Sequence, residues 1–364
     1  MRIQEITKLI EEIAPLTYAE AFDNVGLLVG NPDEKVTGVL VTLDTLEAVI
    51  DEAIAKNCNL IISFHPIIFS GLKKLTGKNY VERVVIKAIQ HKIAIYATHT
   101  ALDNSKAGVN AKICEILGLT NPKILIPKTE IIQKLTTYIP IKEAEKLRLA
   151  LFEAGAGNIG NYNNCSFNID GVGTYKANEN ANPTLGEIGI THQEKETCIT
   201  VIFEKHLEAT VLNALFKNHP YEEVAYEIIT LNNKNQQIGL GMIGELPTAI
   251  HEDDFLQLIQ QKMNAKGIRH SKLLHKNIKK VAVLGGSGSF AIEAAMASGA
   301  EAFITSDLKY HEFYRAENKI LLVDIGHFES EQFTKNLLVD YLTKKIANFA
   351  IILSETNTNP IHYL

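Results

Sequence analysis

The chain alternates between amphipathic stretches with helical spacing and short, almost wholly apolar runs. Residues 3–14 place Ile3, Ile6, Leu9, Ile10 and Ile13 on one helical face, and a turn rich in Asp, Asn and Gly at 21–30 then enters a short strand. Val39-Leu40-Val41-Thr42-Leu43-Asp44 predicts a strand ending in an acid, with a helix over 46–56 behind it. Leu60-Ile61-Ile62-Ser63-Phe64 repeats the layout and ends at His65-Pro66. A helix over 80–91 leads to the strand 93–97, which ends in Thr98-His99-Thr100-Ala101-Leu102-Asp103. Strands without clean alternation, separated by helices, predict a parallel sheet covered on both faces, in which ligands sit at the carboxyl ends of the strands.

The texture changes after Pro127. A strand at 131–139, a helix at 142–154, strands near 165–175 and 197–203, a helix at 205–217 and a strand at 226–231 follow one another. That βαββαβ order predicts a ferredoxin-like α+β module, and the polar run 232–237 marks its exit. The α/β texture then resumes. A helix at 252–263 precedes the strand Val281-Ala282-Val283-Leu284, which opens into Gly285-Gly286-Ser287-Gly288-Ser289 and a helix at 290–298. Strands at 302–307 and 321–325, a helix at 331–346 and a strand at 349–353 complete the chain. The expected architecture is therefore a discontinuous α/β domain in two halves, residues 1–127 and 238–364, with an α+β domain inserted at 128–237.

Composition narrows the function classes. With 46% hydrophobic and 21% charged residues, the 364-residue chain can bury a sizeable core. A net charge of −6 and no concentrated Lys/Arg face argue against nucleic acid as a partner. No apolar run approaches the roughly 18–20 residues of a membrane span, and the amphipathic start differs from a secretory signal, so a cytoplasmic location is expected. Cys58, Cys114, Cys165 and Cys198 form no CxxC pair and read as thiols rather than zinc ligands or disulfides.

The chemistry collects at strand ends. His327 and Glu331 are four residues apart at a helix start, hence on one face. With His65 and Asp103 they form a set of imidazoles and carboxylates without thiolate, suited to Zn, Fe, Mn, Co or Ni, one or two ions per chain. Strand-end His and Asp also serve as ordinary helix caps, so spacing leaves both readings open. Asp307 and His311 repeat the four-residue spacing, as groups supporting the ligands, substrate contacts or a solvated pair. The glycine turn at 285–289 lacks the Lys-Ser/Thr ending of a P-loop and reads equally as an anion cradle or a tight turn.

At these residues the sequence resembles the GTP cyclohydrolase type 2 homologues, also described as Nif-three-like dinuclear metal-centre proteins. The matching segments are Phe22-Asp23-Asn24-Val25-Gly26-Leu27, Phe64-His65-Pro66-Ile67-Ile68-Phe69, Thr98-His99-Thr100-Ala101-Leu102-Asp103, Gly239-Leu240-Gly241-Met242-Ile243-Gly244-Glu245-Leu246 and Gly326-His327-Phe328-Glu329-Ser330-Glu331. In the insert, His219-Pro220-Tyr221-Glu222-Glu223 is similar to a segment of CutA-like and PII-like modules. The resemblance implies a toroidal homohexamer with metal ligands at His65, Asp103, His327 and Glu331. It also departs at one position, because Phe64 stands where the family usually has the first His of His-His-Pro.

Two functions follow as expectations. One is a metal-dependent hydrolase on a small phosphorylated or nucleotide-like substrate, with His99 or Asp307 moving protons and the glycine turn holding an anionic group. The other is a non-catalytic regulatory scaffold or metallochaperone with a ligand-sensing insert.

Overall fold

The structure is a computed structural model that describes residues 1–364. In chain order the first segment runs α1 (Ile3–Ile13), β1 (Gly26–Val29), β2 (Val39–Thr42), α2 (Glu47–Ala55), β3 (Leu60–Ser63), α3 (Tyr80–Gln90), β4 (Ala94–Ala97), α4 (His99–Asp103), α5 (Val109–Leu117) and β5 (Thr120–Pro127). The middle segment holds β6 (Ile132–Pro140), α6 (Ala144–Glu153), β7 (Phe167–Lys176), β8 (Thr191–Glu204), α7 (Glu208–Asn218) and β9 (Tyr226–Leu231). The last contains β10 (Gly239–His251), α8 (Glu252–Lys262), β11 (Arg269–His270), β12 (Asn277–Ser287), α9 (Ile292–Ala297), β13 (Ala302–Ser306), β14 (Leu321–Asp324), α10 (His327–Glu331), α11 (Thr334–Lys345) and β15 (Ile351–Leu353).

Two compact units result. One joins Met1–Pro127 to Gln237–Leu364, and the other is Lys128–Gln236. The first is the discontinuous α/β domain, and it is built on two sheets. A five-stranded sheet has the order β1-β4-β3-β2-β15, and a six-stranded sheet the order β11-β14-β13-β12-β10-β5. The apolar runs β2, β3 and β4 pair in parallel, as do β12, β13 and β14. The departures are antiparallel β1, β5, β10 and β11. The two halves also exchange strands: β5 joins the sheet of the second half, and β15 pairs in parallel with β2 of the first.

Alternation along the strands explains the layers. Val39 and Val41 enter a shared core with Val281 and Val283 from the other sheet, packed around α1, α5, α8 and α11. Leu40 and Ile61 face away, into a second core beneath α2 and α3. Ala282 and Leu284 do the same under α9. Each sheet is covered on both faces, so its strands need no polar face.

The inserted unit is βαββαβ with sheet order β7-β8-β6-β9 and antiparallel pairing throughout, a ferredoxin-like arrangement. Leu135, Ile139, Ile199 and Val201 bury one face against Leu147, Leu151, Val211 and Leu215 of α6 and α7. Its two ends meet, since Asn235 N donates to Lys128 O at 2.9 Å.

Candidate metal centre

Strand ends from both sheets of the α/β unit converge on one spot. His65 follows β3, His99 and Asp103 lie on α4 after β4, and His327 and Glu331 lie on α10 after β14. Donor atoms of His65, His327 and Glu331 all lie within 4.8 Å of one another. Glu331 Oε2 is 3.1 Å from His65 Nε2 and 3.1 Å from His327 Nε2. The angles are not those of hydrogen bonds, so this buried oxygen has no hydrogen-bond partner. A buried carboxylate oxygen left in that condition is costly unless a cation is shared by the three groups.

Each imidazole is braced from behind. His65 Nδ1 donates to Asp44 Oδ1 at 2.7 Å, and His327 Nδ1 donates to Asp307 Oδ2 at 2.6 Å. These contacts select the tautomer that leaves Nε2 as the donor atom and make the ring a better ligand. Asp44 is itself held by the Thr358 hydroxyl, at 2.6 Å from Oδ2. His99 repeats the arrangement, with Nδ1 donating to Asp23 Oδ1 at 2.8 Å, while Asp23 Oδ2 accepts from the amide and hydroxyl of Thr100. Those bonds outweigh the burial of Asp23, which alone would raise its pKa, and bring it down to about 2.

The electrostatics describe a site short of positive charge. Burial acts to lower the pKa of His65, yet Asp44 and Glu331 raise it to about 10. Burial likewise opposes His327, which Asp307 and Glu331 bring up to about 11. Burial would raise the Glu331 pKa, but His327 and His65 hold it at about 2. Asp103 is pushed well above the carboxylate range by burial and by the charge of Glu331, and its Oδ1 is enclosed without a partner.

The other expected residues are located as follows. Asp103 lies outside the three-donor cluster but lines the same cavity of about 420 Å³ with His99, Gly285, Gly286, His327 and Glu331. Asp307 is engaged with His327. His311 does not meet Asp307, and instead its ring lies 5.1 Å from Tyr310 and 6.2 Å from Tyr314. Phe64 is fully buried in the shared core, its ring 4.9 Å from His65 and 5.7 Å from His99, so it contributes an apolar wall. Two amides of the glycine turn are already taken, Gly285 N by Asn110 Oδ1 at 3.0 Å and Gly286 N by Ser330 Oγ at 2.9 Å. That favours the tight-turn reading. Gly286 has a φ of +70°, and a Cβ there would lie 2.4 Å from Glu331 Oε1, so only glycine admits the carboxylate.

From sequence, Asp44 stands at the strand ends where ligands bind but has no assigned role, and Asp23 is only part of the matching segment 22–27. Asp44 carries a signal, an acid ending an apolar strand like its neighbours. The matching segment marks Asp23 but not its partner, because the contact with His99 spans 76 positions.

Fold and site together define a two-sheet α/β protein with an α+β insert and a candidate imidazole–carboxylate metal centre. The family model described as Duf34/NIF3 (NGG1p interacting factor 3) matches residues 1–360, and the chain belongs to that family. It is 37% identical to a Bacillus subtilis protein called GTP cyclohydrolase 1 type 2 homolog, covering 99% of this chain and 98% of the relative. A relative of the same name from Halalkalibacterium halodurans is 36% identical, with 99% and 98% covered. Among solved structures, a Bacillus cereus protein related to NIF3 superposes with a TM-score of 0.86 at 36% identity, covering 100% of this chain and 99% of that one. A Staphylococcus aureus protein gives a TM-score of 0.80 at 30% identity, with 100% and 99% covered. No helix is long and apolar enough to cross a membrane.

Proposed function

We propose that the chain holds a divalent metal ion through His65, His327 and Glu331, with Asp103 as a further ligand, and uses it to hydrolyse a small phosphorylated or nucleotide-like substrate. The observation that carries this reading is the Glu331 carboxylate lying 3.1 Å from two imidazole nitrogens without a hydrogen bond to either. The residues fit a Zn, Fe, Mn, Co or Ni ion by donor type. When bound, such an ion supplies Lewis acidity. Asp44 and Asp307 orient the imidazoles, and His99 takes up a proton at Nε2 while Asp23 holds its Nδ1. Hydrolysis rests on family resemblance and on the cavity beside the donors, and nothing at the site selects guanine.

A second reading, a regulatory scaffold or metallochaperone without turnover, is favoured by Phe64 in place of a donor and by the occupied amides of Gly285 and Gly286. The experiment separating the two reconstitutes the protein with Zn, Mn or Fe and assays nucleotides and phosphoesters, with His327→Ala as control. Metal-dependent turnover lost in that variant supports the hydrolase; metal binding without turnover across the panel supports the scaffold. Metal analysis of the same samples should give one ion per chain, rising to two in Phe64→His. Two ions in the parent would contradict the single-ion site. The homohexamer implied by family resemblance is part of the same proposal and is checked by light scattering.

A further inference from the structure

The inserted unit contains a cavity of its own, about 580 Å³, within the size range of small-ligand sites. It lies on the sheet face turned away from α6 and α7, because Tyr138, Cys198 and Ile169 are register partners that alternate with the residues buried under those helices. The loop 177–190 is fastened at its rim by Asn182 N donating to Glu222 Oε2 and Thr184 Oγ1 to Pro220 O, both at 2.9 Å. The space is therefore built before any ligand arrives.

Its chemistry is lopsided. Three tyrosines, Tyr138, Tyr175 and Tyr221, line it, and the last two form a corner with centroids 6.1 Å apart and planes at 63°. Glu196 sits beside that corner: Oε1 accepts from the Tyr221 hydroxyl at 2.7 Å, and Oε2 occupies the room that Gly173 leaves. A Cβ on Gly173 would come within 2.1 Å of that oxygen. Tyrosine faces and a carboxylate repel anions and attract cations. Glu222 and Glu223 add to the effect, and exposed Lys176 is the one base in the lining.

We propose that this cavity binds a small organic cation, an ammonium or quaternary ammonium on an apolar body, with its nitrogen against Glu196 and the faces of Tyr175 and Tyr221. The ion pair and the aromatic corner select the charge, and the apolar remainder of the cavity takes the body. The site is independent of the metal centre and of the reading given to it.

Cys198, a half-buried free thiol in the same lining, provides an internal reporter. The full chain is titrated calorimetrically with choline, with its water-soluble neutral isostere 3,3-dimethylbutan-1-ol and with hexanoate, while peptide mapping follows alkylation of Cys198. The cation should bind at least tenfold more tightly than the neutral isostere, hexanoate should not bind, and the cation should slow Cys198 alkylation at least fivefold. Glu196→Gln should weaken the cation at least tenfold, and Gly173→Ala, which displaces the carboxylate, should do the same, with melting curves confirming that both variants fold. Equal binding of cation and neutral isostere, no binding of the cation, or unchanged affinity in folded Glu196→Gln would overturn the proposal. So would Cys198 protection that rises with protein concentration alone, since a second copy of the chain would then fill the cavity.

Discussion

At the scale of single residues, the candidate centre depends on aspartates that never touch its middle. Asp44 and Asp307 fix which nitrogen of His65 and His327 faces Glu331. Replacing either by asparagine keeps the volume but removes the charge that makes the ring a strong ligand. Asp44→Asn and Asp307→Asn are each expected to weaken Zn or Mn binding by roughly 10–100-fold without loss of fold, which competition with a chromogenic chelator would measure; unchanged affinity would mean the aspartates are bystanders. Asp44 and Asp307 are visible in sequence as strand-end acids. Their partnerships are not, because periodicity shows that a strand ends in an acid and says nothing of what leans on it from another strand.

At the scale of elements, α10 and the turn after β12 form one device. Asn110 and Ser330 hold the turn amides, and Gly286 clears room for Glu331. Gly286→Ala would require a side chain at φ +70° and would displace the carboxylate. The loss expected is at least about tenfold in metal affinity with about 1–3 kcal/mol of stability, read by chelator competition and urea unfolding. A native-like affinity would show that Glu331 is not the pivot. A second device lies after β15, where the segment 354–356 caps Glu52. The carboxylate accepts from the Ser354 and Thr356 hydroxyls and from the Glu355 amide. Burial would raise its pKa, but these bonds and Lys56 lower it from 4.5 to about 2. Because the folded pKa lies below the unfolded one, the stabilisation is fully present above pH 4.5 and fades as pH falls towards 2. Glu52→Gln should cost on the order of 1 kcal/mol near neutrality, after allowance for solvent screening, and the gap from the parent should narrow below pH 4.5 in urea melts. A gap independent of pH would assign the effect to packing.

Which elements are legible follows from their chemistry. Strands β2, β3, β4, β13 and β14 are apolar runs buried on both faces, and pattern alone finds them. Strand β5 begins Thr120-Asn121-Pro122-Lys123 with its first four residues exposed, and β10 starts among glycines, so neither announces itself. Without those two strands the second sheet has no antiparallel flank, which is why pattern shows only its parallel strands. Helix α5 is missed as well, although Val109, Ile113, Cys114 and Leu117 lie on its buried side. In the insert, β8 begins at Thr191 rather than near 197 because its first residues are polar and pair only with β7.

For the whole molecule, the meeting of Lys128 with Asn235 has a direct test. The excised segment 128–236 should unfold cooperatively by itself, and the remainder, joined by a short Gly/Ser linker, should retain the affinity for metal; an insert that stays unstructured alone would show that it borrows stability from elsewhere. Metal should also stabilise the parent by mass action, by about 2.7 kcal/mol at a hundredfold excess over Kd, so EDTA should lower Tm and His327→Ala should abolish that response.

The strand exchange between halves bears on the order in which the protein is made. While translation proceeds, His65, His99 and Asp103 emerge early, followed by the compact insert. The sheet that positions them still lacks β15, and the sheet that will face them has only β5. A ribosome stalled just after the insert therefore displays an open pair of imidazoles, His65 and His99, and neither donor of α10. Tight metal capture should begin only once the last helices are released, a sequence that arrested nascent chains of graded length, probed with a labelled metal ion, would expose as a single late step.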